Sequence, residues 1–156
     1  MDYTPVMFQD NVYRHLTTYS HELALSVVFE SGWLHFAGGP KEYLELPEAP
    51  KNFLKKVPAA WDDTKFLAGE PGQFIVLARK SGDSWYVAGI NGVDASRNVT
   101  VLFSFLGDAR CAMTLITDGE TPRTFESKTG AVTGRSAIEV SLKPYGGFAA
   151  VLAPDK

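Results

Sequence analysis

Residues 73–90, QFIVLARKSGDSWYVAGI, decide the fold class. Two runs rich in β-branched and aromatic residues flank Ser81-Gly82-Asp83, and Gly82 supplies the positive φ that a tight hairpin turn needs. From residue 73 onward the periodicity is two. NVTVLFSFL (98–106) reads as a strand with a richly apolar face, and CAMTLITDG (111–119) as a strand ending in an Asp-Gly turn. RTFES (123–127), SAIEVSLKP (136–144) and GGFAAVLAP (146–154) complete the set. About seven short antiparallel strands joined by polar turns predict a β-sandwich or a closely related two-sheet fold.

Upstream of this region the pattern changes. In HELALSVVFESGW (21–33), Leu23, Ala24, Val27 and Val28 form an apolar stripe at spacings of three and four, which predicts a helix over 20–31. Ser20 is placed to cap it and Gly32 to end it. LHFAGG (34–39) reads as a short buried strand stopped by glycines. PEAPKNFLKKVPAAW (47–61) reads as a helix with Phe53, Leu54 and Val57 on one side, ended by Pro58 or the residue before it. Helix, strand, helix is a fragment of a (β/α) fold. The sequence therefore divides into residues 1–65, α/β in character, and residues 66–156, antiparallel β; the fold class is α+β.

The 156 residues carry a net charge of -3, with pI near 5.6, which argues against a nucleic-acid partner. No apolar run reaches the roughly 18 residues of a membrane helix. The first ten residues are acidic and do not read as a leader. MDYTPVMF is an odd beginning, and it suggests a chain cut from something larger. Cellular location stays open, with the periplasm or the exterior as the expectation for an intact parent. One cysteine, Cys111, reads as a small buried hydrophobe.

Several stretches together resemble the C-terminal end of glycoside hydrolase family 97, enzymes of α-glucosidase or α-galactosidase type. They are MDYTP (1–5), HELALSVVFESG (21–32), FLKKVPAAWDDTKFLAGEPGQF (53–74), ARKSGDSWYVAGING (78–92), ITDG (116–119) and KPYGGFAAVLAP (143–154). The resemblance implies that residues 1–65 are the remnant of a catalytic (β/α)₈ barrel. LHFAG would be its last strand, and residues 66–156 a C-terminal β domain used in packing or oligomerisation. It also implies a glutamate pair that performs the hydrolysis, and a calcium ion, both upstream of this chain. No catalytic residue, metal ligand or cofactor is therefore placed on residues 1–156. Two positions depart from the family pattern. Val6 stands where a glycine is usual, and Gly38 where an aspartate follows the alanine of the last barrel strand.

The resemblance makes Asp2 and Tyr3 the candidates to line the parent's sugar site, since a tyrosine ring is apolar with a polar tip. His35, inside the expected last barrel strand, is the third; the alternative for it is a satisfied buried histidine. His15 and His21 lack the further ligands that zinc requires. Asp62 and Asp63 are adjacent and cannot straddle a glycosidic bond, which needs carboxyls about 5–9 Å apart and facing. One of them, Asp62 or Asp63, reads as the cap of a turn that bonds backbone N–H groups, with Trp61 as an anchor at the junction. Trp85 and Tyr86 are neighbours in a strand and point to opposite faces. Glu30 is expected to be partly buried and paired.

Two functions are compatible with these readings. One is the C-terminal region of an α-glycosidase, inactive alone, with the parent's carbohydrate substrate as partner. The other is a stand-alone carbohydrate-binding or assembly module. Self-association is expected in either case. The stripe at 23–28 and the run Leu34-His35-Phe36 need cover on both sides, and the β domain is expected to cover only one.

Overall fold

The structure, a computed structural model, describes residues 4–9, 14–31 and 33–155. Three helices come first: α1 (Tyr19–Val28), α2 (Pro40–Leu44) and α3 (Glu48–Leu54). Eight strands follow: β1 (Asp63–Glu70), β2 (Phe74–Ser81), β3 (Ser84–Asn91), β4 (Arg97–Leu102), β5 (Arg110–Asp118), β6 (Phe125–Thr133), β7 (Ala137–Leu142) and β8 (Gly147–Pro154). Six form one antiparallel sheet in the order β1-β2-β3-β8-β5-β6, and β4 pairs with β7 in a second. The hairpin at 73–90 is where the sequence puts it, running from Phe74↔Asn91 to Ser81↔Ser84 with Gly82 at φ 56°.

The large sheet is covered on both faces. Alternate side chains reach opposite sides of a strand. Val76, Ala78, Trp85, Val87, Cys111, Met113, Phe148 and Leu152 meet the inward residues of the small sheet, Val99, Val101, Val140 and Leu142. The intervening residues Tyr86, Ala88, Ile116 and Ala149 meet the helical layer. Trp85 and Tyr86 thus divide between the two cores, as their adjacency requires.

Helix α1 lies on this second face, and its stripe is not left bare. Leu23, Ala24 and Val27 each have 0% exposure and Val28 has 7%. The expectation that a second copy covers this stripe is corrected: the chain folds back and its own sheet covers it. Burying each of the Leu23, Val27 and Val28 side chains stabilises the joint by about 1.5–3 kcal/mol.

Several local expectations change. Helix α1 starts one residue earlier than its sequence suggests and ends at Val28, because Phe29 turns extended (φ -98°, ψ 141°). The cap is Thr18, whose hydroxyl accepts from the His21 N–H, and not Ser20. Gly32 lies outside the described residues. Residues 34–39 form no strand beyond an isolated bridge at Leu34. The Gly38-Gly39 pair makes a loop instead. Gly38 sits at φ 100°, and the Gly39 N–H donates to Glu42 at 2.8 Å at the start of α2. Helix α3 covers 48–54, so Lys55 to Pro58 lie past its end. β1 is an eighth strand that the sequence reading missed, and β4 stops at Leu102 before a short 3₁₀ turn at Ser104–Leu106.

Candidate functional site

Three of the stretches that carry the family resemblance, HELALSVVFESG, ITDG and KPYGGFAAVLAP, meet where α1 packs on the large sheet. Asp118, from the ITDG turn, is buried there. Its carboxylate accepts from the Thr18 hydroxyl at 2.5 Å, the Lys143 N–H at 3.2 Å and the Gly147 N–H at 3.3 Å. It therefore holds the helix cap, the end of β7 and the start of β8 together. The first two N–H groups of the helix turn are satisfied by the sheet turns: Thr18 donates to Tyr145 O and Tyr19 to Pro122 O. Burial pushes the Asp118 carboxyl above the usual range, against the opposing pull of these donors.

The Pro-Tyr-Gly-Gly-Phe turn (144–148) exists to let the helix this close. A Cβ on Gly147 would stand 2.6 Å from the His21 Cα, and one on Gly146 would stand 2.2 Å from an Asp118 oxygen. Tyr145 takes φ 49° to make the turn. His21 lies against it with Nδ1 3.2 Å from Gly146 O, and burial lowers its pKa below the ordinary 6.5. Paired glycines directly before an apolar run were the signal of this close approach in the sequence.

A second set of polar side chains ties down the segment before α1. Glu22, buried on the helix, accepts from the Thr17 hydroxyl at 2.6 Å and the Met7 N–H at 3.3 Å, and lies 3.5 Å from His15 Nδ1. Arg123, from the β5–β6 turn, donates to Thr17 O at 2.7 Å and His15 O at 2.8 Å. At the other end of α1, Arg79 donates to Val28 O at 3.2 Å and to Glu30 at 3.1 Å, a cation at the helix C-terminus. Glu30 is paired as expected, but its side chain is 59% exposed and not buried. Trp61 stands edge-on to Tyr86 at 5.4 Å. Asp62 accepts from the Gly82 N–H at 2.7 Å and so holds the β2–β3 turn, while Asp63, the first residue of β1, accepts from the Thr64 N–H at 2.8 Å.

Of the three residues expected at a sugar site, Asp2 and Tyr3 lie outside the described residues. His35 is exposed and stacks on Trp33, with ring centroids 5.4 Å apart and planes 14° apart. Val6, where the resemblance expects glycine, is fully buried at φ 69°, a backbone conformation that glycine adopts freely and valine rarely. Among the described residues no three of His, Cys, Asp or Glu come together. A cleft of about 490 Å³ opens between α3 and the sheet, with Phe53, Tyr86, Ile116 and Phe125 at its apolar part and Ser127 and Asn52 at its polar edge.

A family model described as "Glycosyl-hydrolase 97 C-terminal, oligomerisation" matches residues 60–153. The chain belongs to this family. As a glycosyl-hydrolase 97 chain it is similar to a probable retaining α-galactosidase of Streptomyces bingchenggensis, 37% identical over 151 residues. It is also similar to a retaining α-galactosidase of Bacteroides thetaiotaomicron, 38% identical over 136 residues. The matches cover 97% and 85% of this chain but 23% and 20% of those proteins, so the chain spans about a fifth of the length of the curated relatives it matches. A glycoside hydrolase family 97 enzyme from Pseudoalteromonas sp. strain K8, solved in complex with acarbose, superposes with a TM-score of 0.90 at 28% identity. That superposition covers 100% of this chain and 26% of that one. In this glycosyl-hydrolase 97 chain helix α1 and the ITDG and PYGGF turns build a joint. Asp118 and Glu22, the buried acids, are both engaged in holding it.

Proposed function

We propose that the chain is the C-terminal end of an α-galactosidase-type glycosidase. Residues 1–65 complete its catalytic barrel, and residues 66–156 serve packing and assembly. The observation that carries this reading is the alternation at 33–36. Phe36 packs beside Tyr43 in the helical core, with centroids 6.2 Å apart, while Trp33 is 67% exposed and His35 is exposed beside it. No strand forms there beyond the bridge at Leu34, but the alternation is the one expected of a barrel strand whose strand neighbours belong to the rest of the parent. In this reading Trp33 and His35 face the barrel interior, and His35 contacts sugar together with Asp2 and Tyr3. The glutamate pair and the calcium belong to the upstream part of the parent.

The reading is tested by assaying the purified chain on nitrophenyl α-galactoside and nitrophenyl α-glucoside. No release above buffer is expected from either. Turnover that disappears on Glu22→Gln or Asp118→Asn would place the chemistry inside this chain and overturn the proposal.

A further inference from the structure

We infer that the assembly surface is the free edge of β6, which pairs antiparallel with β6 of a second copy across a two-fold axis. This rests on the reading that residues 66–156 carry assembly, and it names where. β6 ends the six-stranded sheet, and its nine residues pair with β5 from Asp118↔Phe125 to Arg110↔Thr133 without a break in register. Residues 126–131 are exposed throughout, so neither a helix nor a loop of the described residues covers the edge. Alternate residues of such a strand turn N–H and C=O groups outward, a template for another strand. The opposite edge is a poor template. β1 is interrupted by a bulge between Phe66 and Ala68, and its Lys65 is held by Asp63 at 2.7 Å.

Charge selects both the partner and the register. Adjacent pairs in an antiparallel ladder alternate between hydrogen-bonded and non-hydrogen-bonded types. A two-fold pairing must therefore be centred on a residue that opposes its own copy. Centring on Glu126 or Lys128 sets like charges face to face. Centring on Thr129 or Gly130 leaves both charges opposite uncharged residues. Centring on Ser127 puts Glu126 opposite Lys128 of the second copy and Lys128 opposite its Glu126. Both side chains lie on one face of the strand, and among the described residues neither has an ion pair within the chain. A second copy of this chain is thus the partner whose charges match. On the other face Phe125 and Ser127 form a wall of the cleft under α3, which the added strand would lengthen.

The experiment is sedimentation of the full chain over a concentration series, with circular dichroism confirming the fold of each variant. Wild type should dimerise. Glu126→Lys and Lys128→Glu should each raise the dimer Kd by about tenfold, because each sets like charges opposite one another twice. The double reversal Glu126→Lys/Lys128→Glu restores opposite charges and should return the Kd to near the wild-type value. A wild-type dimer indifferent to all three variants overturns the β6 edge while leaving assembly by this chain intact. A wild-type chain that stays monomeric at tens of micromolar overturns the assembly reading, and this inference with it.

Discussion

His21, which has too few neighbouring ligands in the sequence to bind a metal, serves packing in the fold. Its ring is buried against the Gly146-Gly147 turn, and desolvation holds its pKa below 6.5, with Glu22 and Asp118 pulling the other way. Folding therefore selects the neutral ring. Below pH 6.5 the unfolded chain binds a proton that the folded chain does not, so stability falls as pH drops from that value toward the folded pKa. Asp118 has the opposite sign. Its folded pKa is raised, so its contribution is complete below the ordinary 3.8 and is lost as pH rises through the raised value. The two groups thus pull stability in opposite directions with pH. His21→Gln should flatten the decline of urea-unfolding stability just below pH 6.5. Wild type and variant declining in parallel would show that His21 does not titrate against folding.

At the scale of elements, the sequence was most readable where a pattern ran long. The 73–90 hairpin, the apolar stripe of α1 and the strands at 111–118, 137–142 and 147–154 are periodic, and the structure keeps them, whereas the strand expected at 123–127 is β6 at 125–133, an edge strand exposed from 126 to 131 with no alternation to read. The failures have physical causes. LHFAGG is apolar enough for a strand, but residues 34–39 have no strand on either side among the described residues, and Gly38 and Gly39 take a loop. β1 (DTKFLAGE) is an edge strand with charges at both ends and a bulge in the middle, so it shows no clean alternation. The joint was not legible as such, because Thr18, Asp118 and Lys143 are brought together only by the topology. Its motifs stood out in the sequence, yet motif identity alone does not distinguish a hinge from an active site. Nor could the stripe alone say whether a second copy or the chain's own sheet covers it, and here Val27 decides. It is fully buried between α1 and the sheet. Val27→Glu loses about 1.5–3 kcal/mol of apolar burial and leaves a carboxylate without a partner, together a large share of the roughly 5–15 kcal/mol that holds a domain. The variant should lose its cooperative thermal transition at pH 7. A folded Val27→Glu chain with an unchanged melting temperature and altered assembly would mean that the stripe faces outward in solution.

For the whole molecule, the open matter is whether residues 1–65 and 66–156 are two domains or one cooperative unit. The family model begins at residue 60, and such a boundary invites treating the β region as self-sufficient. The packing argues for one unit. The large sheet has an apolar face on each side. Only one of them is covered by β4 and β7; the other, through Tyr86, Ala88, Ile116 and Ala149, is covered by α1 and α3 and the segments around them. Without that layer, Asp118 would lose the Thr18 hydroxyl, and Tyr145 O and Pro122 O their N–H donors. Opening the helical layer alone would therefore expose a core face and several polar groups at once, and a costly partial opening merges with global unfolding. Hydrogen exchange on the full chain should find the amides of Leu23, Ala24 and Val27 exchanging with the same free energy as those of Val87 in β3 and Ala150 in β8, with the same dependence on urea. If the α1 amides exchange through a cheaper opening while the strands stay protected, the helix is a docked appendage, and the division at residue 65 is a true domain boundary.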